Sequence, residues 1–207
     1  QYVVDSRGLP VKNATIEKVG NFNPDFSLGF GNTFTYHNWS LGVLVDGKFG
    51  GEIASGSASQ TAFAGTAAIT AKYREAGSLV LPGVLADGTK NTTAINAETF
   101  WQTVAQGDYN WAEFFTYDAT TVRLREVSIG YEFKHLPAVF KSAKLSLVAR
   151  NVLFLYRGST ILDIPGFGKR KMDFDPEVSF GNSNFQGVEY YNLPSTRSIG
   201  LNLKLSF

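Results

Sequence analysis

A chain of 207 residues, 43% of them hydrophobic, with a formal net charge of +1, has room for one large β domain or two small ones. The absence of cysteine excludes a disulfide framework and a thiolate metal site, and the near-neutral balance gives no electrostatic footprint for nucleic acid. No apolar run reaches the roughly 18 residues of a spanning helix, which leaves open a membrane strand, where about 9–11 residues suffice and only alternate ones are apolar.

Residues 1–25 read as a loop. They lack the basic and apolar regions of a signal peptide, so the start is expected to be processed or internal. Over 26–48 the alternation predicts a strand hairpin. Phe26, Leu28, Phe30, Phe34 and Tyr36 share one face, interrupted by Asn32, and Trp39, Leu41, Val43 and Val45 follow. Only His37 and Asn38 separate the two strands, which is hairpin spacing.

Residues 49–120 form a long connection. Within it, Ala62–Gly77 reads as a helix of two or three turns ended by Gly77, and residues 97–115 hold a second short helix. Trp101, Tyr109, Trp111, Phe114, Phe115 and Tyr117 crowd together there.

A second hairpin is expected over 121–154. Val127, Ile129, Tyr131 and Phe133 oppose Glu126, Ser128, Gly130 and Glu132, and strict alternation puts Arg123 and Arg125 on the apolar face. Leu145, Leu147, Ala149 and Leu153 mark its second strand. Residues 155–194 make a second long loop. Residues 195–207 form a last strand, with Ile199, Leu201, Leu203, Leu205 and Phe207 on one face.

The connections thus alternate short, long, short, long. In an up-and-down meander this places both short turns at one end of the sheet and both long loops at the other, the layout of an outer-membrane barrel. Aromatic residues (Tyr36, Trp39, Tyr131, Phe133) flank the short turns, as an interfacial girdle would. Alternation alone equally describes a soluble or surface β-sandwich carbohydrate-binding module, in which the apolar face is a core. The two part on whether that face meets lipid or protein.

Candidate chemistry is sparse. The two histidines, His37 and His135, fall in short turns, and no nucleophile elbow or P-loop is present, so no enzyme is expected. Asp173, Asp175 and Glu177 alternate and offer hard oxygen donors for Ca²⁺; equally they are a solvated acidic loop beside Lys169, Arg170 and Lys171. Trp101, Tyr109, Trp111, Phe114 and Tyr117 are candidates to stack on a sugar or dock a peptide; the alternative is that they give the long loop a core of its own.

Several stretches are similar to one family. Gly20–Gly51, "GNFNPDFSLGFGNTFTYHNWSLGVLVDGKFGG", resembles a signature segment of SusC/RagA-type TonB-dependent outer-membrane transporters. So do "VRLREVSIGYEF", "LSLVARNVLFL", "FDPEV" and the closing "LPSTRSIGLNLKLSF", in the family's order. The resemblance implies an all-β fold: about five C-terminal strands of a large antiparallel transmembrane β-barrel, with long extracellular loops containing short helices. It implies outer-membrane import of glycans or oligopeptides, with a SusD-like surface lipoprotein as lid. The remaining barrel and plug would lie outside this sequence, TonB acting on that plug. The candidate aromatic residues would then contact substrate or lid, and Phe207 resembles a barrel-assembly signal.

Overall fold

A computed structural model describes residues 2–105, 112–137, 139–164, 166–178 and 186–207. Its strands and helices, in chain order, are β1 (Phe26–Tyr36), β2 (Trp39–Phe49), β3 (Glu52–Ser55), α1 (Gly56–Phe63), β4 (Ser78–Val80) and β5 (Ala94–Asn96). Then come α2 (Ala97–Ala105), β6 (Thr116–Asp118), β7 (Thr121–Phe133), β8 (Ser142–Arg157), β9 (Val188–Glu189) and β10 (Ser198–Ser206). Two compact units result. The strand unit takes Pro24–Gly50, Ala119–Arg157 and Leu193–Phe207; the loop unit takes Gln1–Asn23, Gly51–Asp118 and Gly158–Asn192.

The strand unit is one five-stranded sheet in the order β1-β2-β7-β8-β10, every neighbour antiparallel. Its strands are 9 to 16 residues long, enough to cross a hydrocarbon layer when tilted. The β1–β2 turn is tight because His37 takes the left-handed conformation (φ 52°), which an asparagine, aspartate or histidine tolerates better than a branched residue.

Cross-strand pairing sorts the side chains. Phe34↔Leu41↔Ile129↔Leu147↔Leu201 runs along one face, and Thr33↔Gly42↔Ser128↔Val148↔Gly200 along the other. The apolar face is exposed from edge to edge: Phe30 60%, Ile129 47%, Leu147 48%, Leu201 74%. A soluble domain rarely leaves an apolar surface of this extent open to water.

Strict alternation fails at Arg125, with a second shift in β8 opposite Val122 and Arg123, and Arg123 and Arg125 are not on the apolar face. The registers shift around Arg125, where Leu44 and Val45 of β2 face Glu126 and Leu124, and where Asn151 and Val152 of β8 lie opposite the single Arg125. A bulge adds one residue and so changes the phase of everything beyond it. Leu124 thereby pairs with the apolar residues Val45 and Leu153, while Arg123 pairs with Asp46 on the polar side. Asn151, at φ 50°, accommodates the extra residue in β8.

The loop unit has a core of its own, built from three separated stretches of chain. Val4, Leu79, Leu81, Ile95, Phe100, Trp101, Val104, Phe114, Phe115 and Ile164 are buried together. Phe167 stacks on Phe100 at 5.4 Å and meets Trp101 edge-on at 4.7 Å. Each fully buried ring of this kind is worth roughly 1.5–3 kcal/mol of transfer free energy. The small sheet β6-β3-β9 and the β4–β5 hairpin frame this core.

The first loop helix lies earlier than its composition suggests. It spans 56–63, not 62–77, because the Ser55 hydroxyl caps it by accepting the Ala58 N–H at 3.0 Å. Gly65, at φ 69°, turns the chain away, and only a 3-10 turn at Ala68–Ala71 follows.

Candidate functional site

The aromatic candidates of the long loop divide. Trp101, Phe114 and Tyr117 are 3%, 0% and 2% exposed, so their rings fill the loop unit instead of offering an open stacking surface. α2 places Trp101 inward because Ala97, Phe100, Trp101 and Val104 recur at helical spacing on one face. Tyr109 and Trp111 lie outside the described residues.

Arg170 holds the Phe114–Tyr117 segment from the other side. Its guanidinium donates to the Phe114 carbonyl and lies over the Phe115 and Tyr117 rings, 4.9 and 5.6 Å from their centroids. Burial pulls the Arg170 pKa below its ordinary value, with Tyr117 and Asp173 opposing. Burial likewise pushes the Tyr117 phenol up, against Arg170.

The acidic candidates do not converge. Asp175 is buried, and its Oδ1 accepts the Glu177 backbone N–H at 3.0 Å. Among the described residues, no three His, Cys, Asp or Glu side chains gather to hold a metal ion. Phe207 is 71% exposed, with its ring 5.3 Å from that of Phe140.

A cavity of about 560 Å³ opens between α1 and α2, lined among others by Phe63, Thr70, Arg74, Glu98, Trp101 and Gln102. Arg74 donates to the Gly65 carbonyl and the Thr70 hydroxyl, and Gln102 donates to Glu98, so these polar groups are already engaged with one another. The Trp101 indole N–H is buried with no acceptor among the described residues.

A second arrangement gave no sequence signal. Glu189, 3% exposed, accepts from Ser55 Oγ at 2.5 Å and from Ser57 Oγ at 2.7 Å. Ser57 Oγ in turn accepts the Tyr191 N–H at 2.6 Å, and Tyr191 is held at φ 51°. Two tyrosines, Tyr190 and Tyr191, meet edge-on there at 4.7 Å.

The polar face of the five-stranded sheet carries the strongest asymmetry. Every charged residue within the five strands lies on it. Cross-strand neighbours place Asp46 with Arg123, Glu126 with Arg150, Glu132 with Lys144, Lys144 with Lys204, and Lys48 with Thr121 and Arg157. Arg125 joins this face by bonding Asp46 at 2.5–3.2 Å and Asn151 Oδ1 at 3.3 Å; Asn151 Nδ2 donates onward to the Thr196 carbonyl at 3.1 Å. Arg150 pairs with Glu126 at 2.9 Å. Arg123 and Arg157 both lie over the Phe154 ring, 4.3 and 5.1 Å from its centroid.

Between these charges run Gly29, Gly31, Gly42, Gly130 and Gly200 with serines and threonines. A Cβ at Gly130 would come 2.7 Å from Ser146 Oγ and 2.8 Å from Ser40 Oγ, so that position is fitted to its neighbours. A hollow of about 260 Å³ lies beside Gly31, Thr33, Gly42, Leu44, Glu126 and Ser128. The charges were legible as residues but not as a face. The clue was Arg123 and Arg125 in apolar phase just before Glu126, which marks a break in register.

No protein-family model matches the chain. It is similar to TonB-dependent receptor P3 of Formosa agariphila, at 25% identity over 217 residues. The match takes in 95% of this chain and 18% of the receptor, so the chain spans less than a fifth of that relative's length. With an all-β sheet whose one face is apolar and exposed and whose other face carries the charges, this similarity supports reading the chain as a piece of a TonB-dependent receptor.

Proposed function

We propose that this sheet is five strands of the wall of an outer-membrane TonB-dependent transporter of the SusC/RagA type. Such a transporter imports glycans or oligopeptides beneath a SusD-like lipoprotein, and TonB acts on a plug outside this sequence. The observation that carries the reading is the exposed apolar face, free of charge across all five strands. Lipid is the solvent such a face requires, and the Ser/Gly/Thr and charged face suits an aqueous lumen. The spacing of short and long connections and the similarity to a TonB-dependent receptor agree. In this role the chain supplies recognition and a path, not bond-making chemistry. A β-sandwich carbohydrate-binding module would bury Ile199, Leu201 and Leu203 under a second sheet; they are 69%, 74% and 61% exposed.

The test uses single spin labels in this chain, which holds no native cysteine, with any cysteine elsewhere in the full-length protein replaced by serine. In the full-length protein in outer-membrane vesicles, a label at Leu201→Cys is expected to collide with lipid-dissolved oxygen, and one at Asn202→Cys with a water-soluble nickel complex. A Leu201 label shielded from both would end the wall reading and favour the sandwich.

A further inference from the structure

The five strands carry seven Lys or Arg (Lys48, Arg123, Arg125, Lys144, Arg150, Arg157, Lys204) against three Asp or Glu (Asp46, Glu126, Glu132). That is a net +4 confined to one face, in a chain whose total is +1, so the remaining residues carry −3. Five of the seven cations stand in the half of the sheet nearer the long connections, since Lys48, Arg123 and Arg157 lie within three residues of those strand ends. Within the five strands the carboxylates are too few to balance these cations. Lys144 and Lys204 are directly opposed across β8 and β10, an arrangement that costs stability unless an anion answers it. Glu132, across from Lys144, is one carboxylate for that pair.

From this distribution we propose that the polar face selects polyanionic oligosaccharides, chains bearing uronate or sulfate groups. The proposal rests on the transport reading above and narrows its substrate class. A wall with an excess of positive charge raises the local concentration of oppositely charged solute and speeds its entry. Lys204 is exposed, and Arg150, paired with Glu126, is still two-thirds exposed, so they can meet a passing anion; Arg123, 4% exposed and fixed over Phe154, contributes only its field. The rest of the face favours sugar over peptide. It is mostly Gly, Ser and Thr, with Leu44, Val148 and Phe154 as exceptions, so it has hydroxyls for a polyol and few apolar sites for peptide side chains.

The experiment measures binding to the full-length transporter in detergent by calorimetry, with three probes of equal length: an oligogalacturonate, a neutral malto-oligosaccharide and an oligoglutamate. At low salt the oligogalacturonate is expected to bind about tenfold more tightly than the neutral sugar, an advantage that shrinks as salt shortens the Debye length. The triple variant Lys48→Gln, Lys144→Gln, Lys204→Gln should lose most of it, and Lys48→Arg, Lys144→Arg, Lys204→Arg should keep it. Correct assembly of both variants is read from heat-modifiable gel mobility; if the neutralised one misassembles, the salt series on the native protein decides.

Equal affinity for the two sugars, no binding of either, or an advantage indifferent to salt would overturn the proposal. Oligoglutamate binding as tight as oligogalacturonate would overturn the assignment to sugar. A protein that fractionates away from membranes would instead remove the transport reading itself.

Discussion

At the scale of single residues, Trp101 shows why composition misleads about aromatic clusters. A tryptophan in a long connection looks available for a ligand, yet α2 turns it inward against Phe100 and Phe167. Trp101→Ala should therefore cost about 3–5 kcal/mol of loop-unit stability. The expected readout is loss of hydrogen-exchange protection at Leu79, Ile95 and Ile164, without ligand present. Loss of uptake in that variant would report a damaged core, not a missing contact. Asp5 gives a titration of known sign. Partial burial raises its pKa, but hydrogen bonds from the Arg7 side chain and the Leu9 and Arg7 backbones outweigh it and hold the carboxyl below its usual range. A depressed carboxyl contributes stability above the unfolded pKa and loses it as pH falls through the folded one. Exchange at the Leu9 amide should thus rise below about pH 4 relative to intrinsic rates, and Asp5→Asn should show the raised exchange already at neutral pH. A pH-independent Leu9 amide would contradict this.

At the scale of elements, the strands were readable because a period of two survives any packing partner. Phe26–Tyr36 needed only its own residues to be recognised. The loop helices were not readable in the same way. α1 starts at 56 through a serine cap and a buried glutamate from residue 189, a partner no local window contains. The bulge at Arg125 sits between these cases: its phase break is written in the sequence, but its side follows only from β2 and β8. Deleting Arg125 supplies the test. With that residue removed, Glu126 and Leu124 become adjacent opposite the adjacent Leu44 and Val45, so Leu124 and Val122 stay on the apolar side and Arg123 and Thr121 on the polar side without a bulge. Outer-membrane assembly should therefore survive, read as a retained heat-modifiable band, while Arg125→Ala keeps the bulge and should cost about 1 kcal/mol through the Asp46 and Asn151 bonds. A deletion that abolishes assembly would refute the phase argument.

At the scale of the molecule, the sheet was legible in advance and the loop unit was not, for one reason. The sheet is made by neighbours in sequence, each strand pairing with the next long strand. The loop unit is made by distant stretches: Val4 bonds to Val84, the Tyr2 hydroxyl donates to the Asp163 carbonyl, and β3 pairs with both β6 and β9. Each stretch alone reads as a loop, and together they form one core. Val4→Asp, which puts a charge at a fully buried site, should therefore loosen residues 79–85 and also Ile164, far along the chain. Exchange confined to residues 2–11 would show the three stretches to be independent.

That construction has a consequence for how the chain is made. A core that needs both Val4 and Ile164 cannot close until stretches about 160 residues apart have met, whereas the β1–β2 hairpin needs only its own 24 residues. Contacts of such sequence separation form slowly. Until they do, Phe100, Trp101, Phe114 and Phe115 stand open to water on an unfinished chain. The loop unit is thus the late and aggregation-prone step of biogenesis, and the part with most to gain from a chaperone.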